Sequence, residues 1–317
     1  MKNAPKFMLL LKSICHLRFN PQLIPNKYKT SIKITMCELL AISSQLATHT
    51  GFSLKKLASH SYYDNQQKIS NPDGWGVAYY EDNDVTLLRE PQAASESKLV
   101  RFIEKNIQPT KLLISHIRKA TDGTLALKNT HPFRRELGGC MHVFAHNGDA
   151  KGIQQNPQFK TQRFQPLGDT DSEHAFCHLL DQLAALWKNS KNGQLPALSA
   201  RHEIVCEFAE KLSKLGPANF LYADSDVLFA HADKRTQEDG IIKPPGLYRL
   251  TRRCNRETQQ SLVRNGVTLT RTRAKTDSKE ALQQQVTILA SVPLTEEEWL
   301  PVQQGEVLIV ANGKIIA

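Results

Sequence analysis

The reactive chemistry in this chain centres on Met36-Cys37-Glu38-Leu39-Leu40. A thiol with a pKa of about 8.5 is only a few per cent ionised at neutral pH, so a nucleophilic cysteine needs a base beside it. If Cys37 is the first residue of the working chain, its own α-amine, with a pKa of about 8, is that base. Met36 is a possible start, and an initiator methionine ahead of a residue as small as cysteine is usually removed. On these two residues alone, a buried structural cysteine at a strand start is the simpler account. Four later motifs shift the balance.

The first is Asn71-Pro72-Asp73-Gly74-Trp75-Gly76, a turn feeding a strand. Trp75, between two glycines, is open to two readings: a packed turn residue or a wall of the pocket. In the second, Arg118 ends the apolar strand 111–118 and leads through Lys119-Ala120-Thr121-Asp122-Gly123 to Asn129-Thr130-His131-Pro132-Phe133. That succession is more than a surface loop requires. In the third, a strand over 140–145 delivers His146-Asn147-Gly148. His142 and His146 lie four apart, roughly 13 Å along a strand and too far for one ion, so we read them as packing or hydrogen-bonding histidines. The fourth is Gly168-Asp169-Thr170-Asp171-Ser172-Glu173, which opens a helix with Thr170 and Glu173 as a capping box. Asp171 in the first turn is expected on dipole grounds alone.

The elements that must position these residues follow from hydrophobic periodicity. Residues 37–43 read as a buried strand with the cysteine at its outer end, followed by a polar stretch. Strands are expected over 77–80 and 85–89, joined by the turn 81–84, and a helix over 95–106 with Leu99, Phe102 and Ile103 on its apolar face. The helix from 171 carries Ala175, Phe176, Leu179, Leu180, Leu183 and Leu186, and a second helix over about 202–215 stops at Gly216-Pro217. Strands near 219–222, 227–231 and 285–290 and a hairpin over 307–316 complete the pattern. Residues 233–280 are arginine-rich, with no aromatic residue over 251–280 to stack on bases, and read as a solvated face or excursion.

The 317 residues are 40% hydrophobic, enough for a substantial core. The formal charge is +10, but residues 1–35 hold seven basic residues and no acid, which leaves +3 for the rest. Basicity is therefore largely a property of a 36-residue leader, read as a propeptide, a targeting segment or, preferably, a start assigned too far upstream. Its apolar run 7–11 is cut short by Lys12 with no Ala-x-Ala site following, so it does not read as a signal peptide. No stretch approaches the roughly 20 apolar residues of a membrane span. Six cysteines without CxxC pairing fit a reducing, cytoplasmic setting. Neither a nucleic-acid nor a membrane partner is expected, and residues 37–317 read as one domain.

Taken together, Cys37, Gly74-Trp75-Gly76, Ile117-Arg118-Lys119-Ala120-Thr121, Thr130-His131-Pro132, His146-Asn147-Gly148 and Thr170-Asp171-Ser172-Glu173 resemble the class II glutamine amidotransferases, which are N-terminal nucleophile hydrolases. The nearest form is the bacterial stand-alone branch that begins Met-Cys-Glu-Leu-Leu. The resemblance implies an α+β fold, a four-layer αββα sandwich of two mostly antiparallel sheets. It implies that Cys37 attacks the side-chain amide of glutamine, that Asn147 and Gly148 supply the oxyanion hole, and that Arg118 and Asp171 hold the α-carboxylate and α-ammonium. His131 and Thr121 fall on motif positions that line or brace the pocket. No cofactor or metal is implied. A separate ammonia-accepting synthase is a possible partner, since no synthase domain fits in the chain.

The chain departs from the family pattern at Glu38, where many members have glycine, and at Lys119 and Asp122 in the arginine loop. These changes leave the core chemistry unaltered. Two further readings stay open: hydrolysis of another γ-glutamyl compound, and a non-catalytic partner protein that retains the fold.

Overall fold

A computed structural model describes residues 37–52, 73–106, 109–118, 124–188, 194–237, 239–254 and 284–317, with short strand segments at 63–64, 67–68 and 267–271. Residues 1–36, Thr121 with the rest of 119–123, and Arg256, Arg264 and Arg273 lie outside the described residues.

Strand β1 (Glu38–Phe52) occupies the middle of an eight-stranded antiparallel sheet. Its first half is apolar on both faces, as a strand covered on both sides must be. Leu40 and Ile42 face a helix-covered core, while Leu39 and Ala41 face the second sheet. The neighbours of β1 are β4 (Thr110–Ile117) on one side and β11 (Gln284–Ala290) on the other. Beyond β4 lie β2 (Trp75–Glu81) and β3 (Asp84–Glu90). Beyond β11 lie β9 (Tyr248–Cys254) and β12 (Leu300–Pro301), and β10 (Val267–Arg271) pairs with the far half of β1.

The second sheet has six strands, β14-β13-β8-β7-β6-β5 in spatial order. They are β5 (Phe133–Leu137), β6 (Cys140–Gly148), β7 (Ala218–Ala223), β8 (Leu228–His231), β13 (Val307–Ala311) and β14 (Lys314–Ile315). Helix α1 (Lys98–Asn106) packs through Val100 and Ile103 on the outer face of the first sheet. Helices α2 (Asp171–Lys188) and α3 (Leu198–Ser213) cover the second sheet through Phe176, Leu180, Val205 and Phe208. Small residues such as Ala41, Ala78, Ala145, Ala223 and Ala230 recur where the two sheets meet. This is the αββα sandwich, with one core between each pair of layers.

Three parts differ from the sequence reading. The polar stretch after residue 43 continues β1, with a register shift between Ser43 and Thr48. Its hydroxyls are satisfied locally, Ser44 and Thr48 both donating to the Leu46 carbonyl at 2.8 and 2.7 Å, so the polar sequence hides a strand. Strand β5 is unannounced because Arg134-Arg135 mask its two apolar ends. Within 233–280, residues 248–254 form β9, and Arg252 is buried on Glu297, its Nε donating at 2.6 Å; this arginine is not part of a solvated face.

At the start of α2, Thr170 Oγ1 accepts the Glu173 amide at 3.2 Å, half of the expected capping box. The Glu173 carboxylate turns instead to the Gly168 amide and to Arg135, both at 2.6 Å.

Candidate active site

Cys37 is partly exposed and immediately precedes β1. Glu38 pairs with Ile117, so one further step of the same register sets Cys37 across from Arg118. Arg118 is buried, and its amide donates to the Gly74 carbonyl at 2.8 Å. Trp75 also pairs with Ile117. It has no exposed surface and packs under α1 with Leu40 and Ile42, where the structure places it as a packed residue.

From the other sheet, β6 ends in Asn147 and Gly148. Asn147 Nδ2 donates to the Cys37 carbonyl at 2.7 Å. Its amide has two N–H groups, so one remains for another acceptor. The Asn147 carbonyl accepts from Asn219 Nδ2 at 3.1 Å, and Asn219 Oδ1 accepts from the Asp233 amide at 2.8 Å. This buried asparagine on β7 fixes the end of β6, and the sequence reading passed over it because it looks like an ordinary strand start. Gly148 has no room for a side chain: a Cβ would stand 1.9 Å from the Pro217 carbonyl oxygen.

Asp171 opens α2, where the helix dipole favours its negative charge. Its Oδ2 accepts from the Ala150 amide at 2.6 Å. Its Oδ1 accepts from the Ser172 amide at 2.6 Å and the Ser172 hydroxyl at 3.1 Å. A carboxylate offers about four lone-pair sites, so about one remains for a further donor. A cleft of about 500 Å³ opens beside it, lined by residues 149–155 and Asp171.

Behind these groups sit buried histidines. The His131 ring packs between those of His116 and Phe133 at tilted angles, with ring centroids 4.3 and 4.4 Å apart. Burial pushes His131 well below the ordinary histidine range, with the charges of neighbouring His116, His146 and Arg118 acting in the same direction. His116 falls to about 3, first through burial and then through Arg118. Both rings are therefore neutral at pH 7. The loop carrying His131 lies on β2 because Gly76 has no Cβ, which would stand 2.2 Å from the His131 carbonyl oxygen. His142 and His146 are hydrogen-bonding residues, as expected: His142 Nδ1 meets the Tyr222 hydroxyl at 2.7 Å and His146 Nδ1 the Ser172 hydroxyl at 2.9 Å.

Glu38 is fully buried, and Arg235 Nη2 donates to its Oε1 at 3.1 Å. Arg235 Nη1 donates to the Ser291 carbonyl at 2.5 Å, while the Leu39 amide donates to Ser291 Oγ at 2.9 Å. These contacts anchor the backbone directly after Cys37. Burial raises the Glu38 pKa, and Arg235 opposes that shift. The sequence marked Glu38 as unusual but gave no sign of its partner, 197 residues away.

The four layers and two antiparallel sheets define an N-terminal-nucleophile-type fold, with the residues that end β6 meeting the residue that precedes β1. The profile of the class-II glutamine amidotransferases matches residues 36–317, and the chain belongs to that family. It is 29% identical over 280 residues to YafJ of Escherichia coli K12, which carries a provisional glutamine amidotransferase name, covering 88% of this chain and 99% of YafJ. It is also 29% identical over 285 residues to an uncharacterised protein of Methanocaldococcus jannaschii, covering 89% of this chain and 71% of the other. The crystal structure of a predicted glutamine amidotransferase from Pseudomonas aeruginosa superposes with a TM-score of 0.60 at 28% identity, over 89% of this chain and 100% of that one. The glutamine phosphoribosylpyrophosphate amidotransferase of Bacillus subtilis shares the fold, with a TM-score of 0.52 at 17% identity, over 88% of this chain and 48% of that one. Among the described residues no helix is long and apolar enough to cross a membrane.

Proposed function

We propose that residues 37–317 form a stand-alone glutaminase-type amidohydrolase that releases ammonia from glutamine, with Cys37 as its N-terminal nucleophile. The observation that carries this reading is the Asn147–Cys37 hydrogen bond, which brings two distant motifs to one point. Cys37 Sγ attacks the amide carbon of the substrate, and its thiol proton passes to the α-amine through water and on to the leaving nitrogen. The free N–H of Asn147 and the backbone N–H of Gly148 hold the developing oxyanion. Ammonia leaves, water attacks the γ-glutamyl thioester, and glutamate departs as the thiol is restored. Arg118 takes the α-carboxylate and Asp171 the α-ammonium, with His131 and Thr121 in supporting positions and Trp75, expected as a possible pocket wall, packed in the core instead.

The ammonia goes to water or to a separate acceptor enzyme. A reducing, cytoplasmic setting suits this chemistry, and among the described residues Cys37, Cys140, Cys177 and Cys206 take part in no disulfide. A second reading keeps the nucleophile and changes the leaving group to that of another γ-glutamyl amide. Arg118 and Asp171 would grip any free γ-glutamyl head, so the head-group contacts fit both readings.

Mass spectrometry of the purified protein, with an ammonia assay on the same sample, tests the proposal. The active species should begin at Cys37, and Cys37→Ala should abolish turnover while leaving the fold intact. Full activity with a peptide bond still on the Cys37 nitrogen would overturn it, and an inactive protein with a free Cys37 amine would point to a non-catalytic partner. Comparing ammonia release from glutamine with cleavage of γ-glutamyl peptides separates the two substrate readings.

A further inference from the structure

Asp171 grips the turn that carries Asn147 and Gly148 from both sides. Beyond the pair, its Oδ2 accepts the Ala150 amide at 2.6 Å. Before the pair, its Oδ1 accepts the Ser172 hydroxyl at 3.1 Å, and Ser172 Oγ lies 2.9 Å from His146 Nδ1. A hydroxyl has one proton, so this chain has a direction. That direction follows the His146 tautomer: with Nδ1 protonated, Nδ1–H donates to Ser172 and the Ser172 proton goes to Asp171; with Nε2 protonated, the Ser172 proton goes to Nδ1. His146 Nε2 is buried and lies by the Pro217 carbonyl at Gly148, where a Cβ would stand 2.4 Å from the nitrogen and 1.9 Å from the Pro217 oxygen. Ser172 and His146 are themselves buried, at 5% and 2% exposure, so solvent does not substitute for either link.

We propose that Ser172 and His146 are positioning residues which couple recognition of the substrate's α-ammonium at Asp171 to the geometry of the Asn147–Gly148 turn. This rests on the glutaminase reading and deepens it. An ammonium that takes the remaining lone pair of Asp171 pins the carboxylate in the orientation that its bonds to Ala150 and Ser172 require. The first bond ends on Ala150, just beyond Gly148, and the second reaches His146, just before Asn147, through the Ser172 hydroxyl, so both bear on the residues proposed to present N–H groups to the oxyanion. A substrate with the right head group thus sets the hole, and one without it meets a turn held less well. The site selects amino acids in turnover as well as in binding.

The test compares glutamine with glutaramate, the same chain with hydrogen in place of the α-amine, on wild type and on Ser172→Ala, Ser172→Thr and His146→Phe. Couplings between two sites are typically about 5–150-fold, and the wild-type kcat ratio of glutamine to glutaramate should fall in that range. Ser172→Ala should cut kcat for glutamine roughly tenfold and kcat for glutaramate less than about twofold, collapsing the ratio. KM for glutamine should stay within about threefold of wild type, because the charge of Asp171 remains. Ser172→Thr, which keeps the hydroxyl, should keep the ratio. His146→Phe, which breaks the other link, should collapse it as Ser172→Ala does. Equal losses on both substrates in Ser172→Ala and His146→Phe would mean a purely structural role and overturn the inference alone. A wild-type protein with a free Cys37 amine that releases no ammonia from glutamine would overturn the parent reading and the inference with it.

Discussion

Asn147 and Cys37 belong to different sheets and meet through one bond, the Asn147 Nδ2–H on the Cys37 carbonyl at 2.7 Å. In the proposed mechanism the same side chain therefore places the nucleophile and faces the charge that its attack creates. Asn147→Ala should lower kcat by about 10²–10³, the usual loss for one oxyanion donor, with a much smaller change in KM. Steady-state ammonia release checks this, and an unchanged kcat would remove Asn147 from the proposed mechanism.

Asp171 is already bonded to three backbone or hydroxyl donors, so its replacement is not a simple loss of charge. In Asp171→Asn the amide must turn an N–H toward the backbone N–H of either Ala150 or Ser172. We expect KM for glutamine to rise and kcat to fall together, each by about tenfold or more. A rise in KM alone would show that the turn stands without the carboxylate.

Glu38 and Arg235 form an ion pair away from water, 4% exposed on the arginine side and 0% on the glutamate side. Removing one partner strands the other charge, which typically costs about 3–5 kcal/mol. Glu38→Gln should destabilise the protein by that order in urea denaturation, and Glu38→Gln with Arg235→Met should recover part of the loss. No recovery in the double variant would mean that Arg235 is needed chiefly for its bond to Ser291.

Buried neutral histidines make stability depend on pH. Burial lowers His116 to about 3 and His142 to about 4, against about 6.5 in an unfolded chain. Between those values the unfolded state binds the proton and the folded state does not. The stabilisation is complete above about pH 6.5 and declines by about 1.4 kcal/mol per pH unit for each ring as pH falls towards 4. Denaturation midpoints at pH 7.5 and 5.0 should differ accordingly, and His142→Gln should flatten the dependence. Equal slopes in the variant and wild type would exclude His142 as a source.

The layered fold was legible only through the family resemblance of the motifs, while most of the strands were legible because burial on both faces writes apolar runs, as in residues 39–42 and 288–290. The motifs at Arg118, Asn147 and Asp171 were legible as sequence, and the structure shows what lies around each one. Strand β5 was hidden by Arg134-Arg135, and the second half of β1 by serines and threonines that bond the backbone. The partners of Glu38 and Asn147 could not be read, because Arg235 and Asn219 owe their places to chain reversals far along the sequence. Ser172 was noted only within a capping motif, since nothing local tells a helix-opening serine that it will meet His146.

Strand β1 is paired along both edges over residues 40–43, so it cannot be loosened without parting the middle of its sheet. Backbone amides there should exchange with deuterium only when the whole molecule opens. Heat should then switch this protein off in a single step, with loss of ammonia release tracking loss of the fold and no half-working form between.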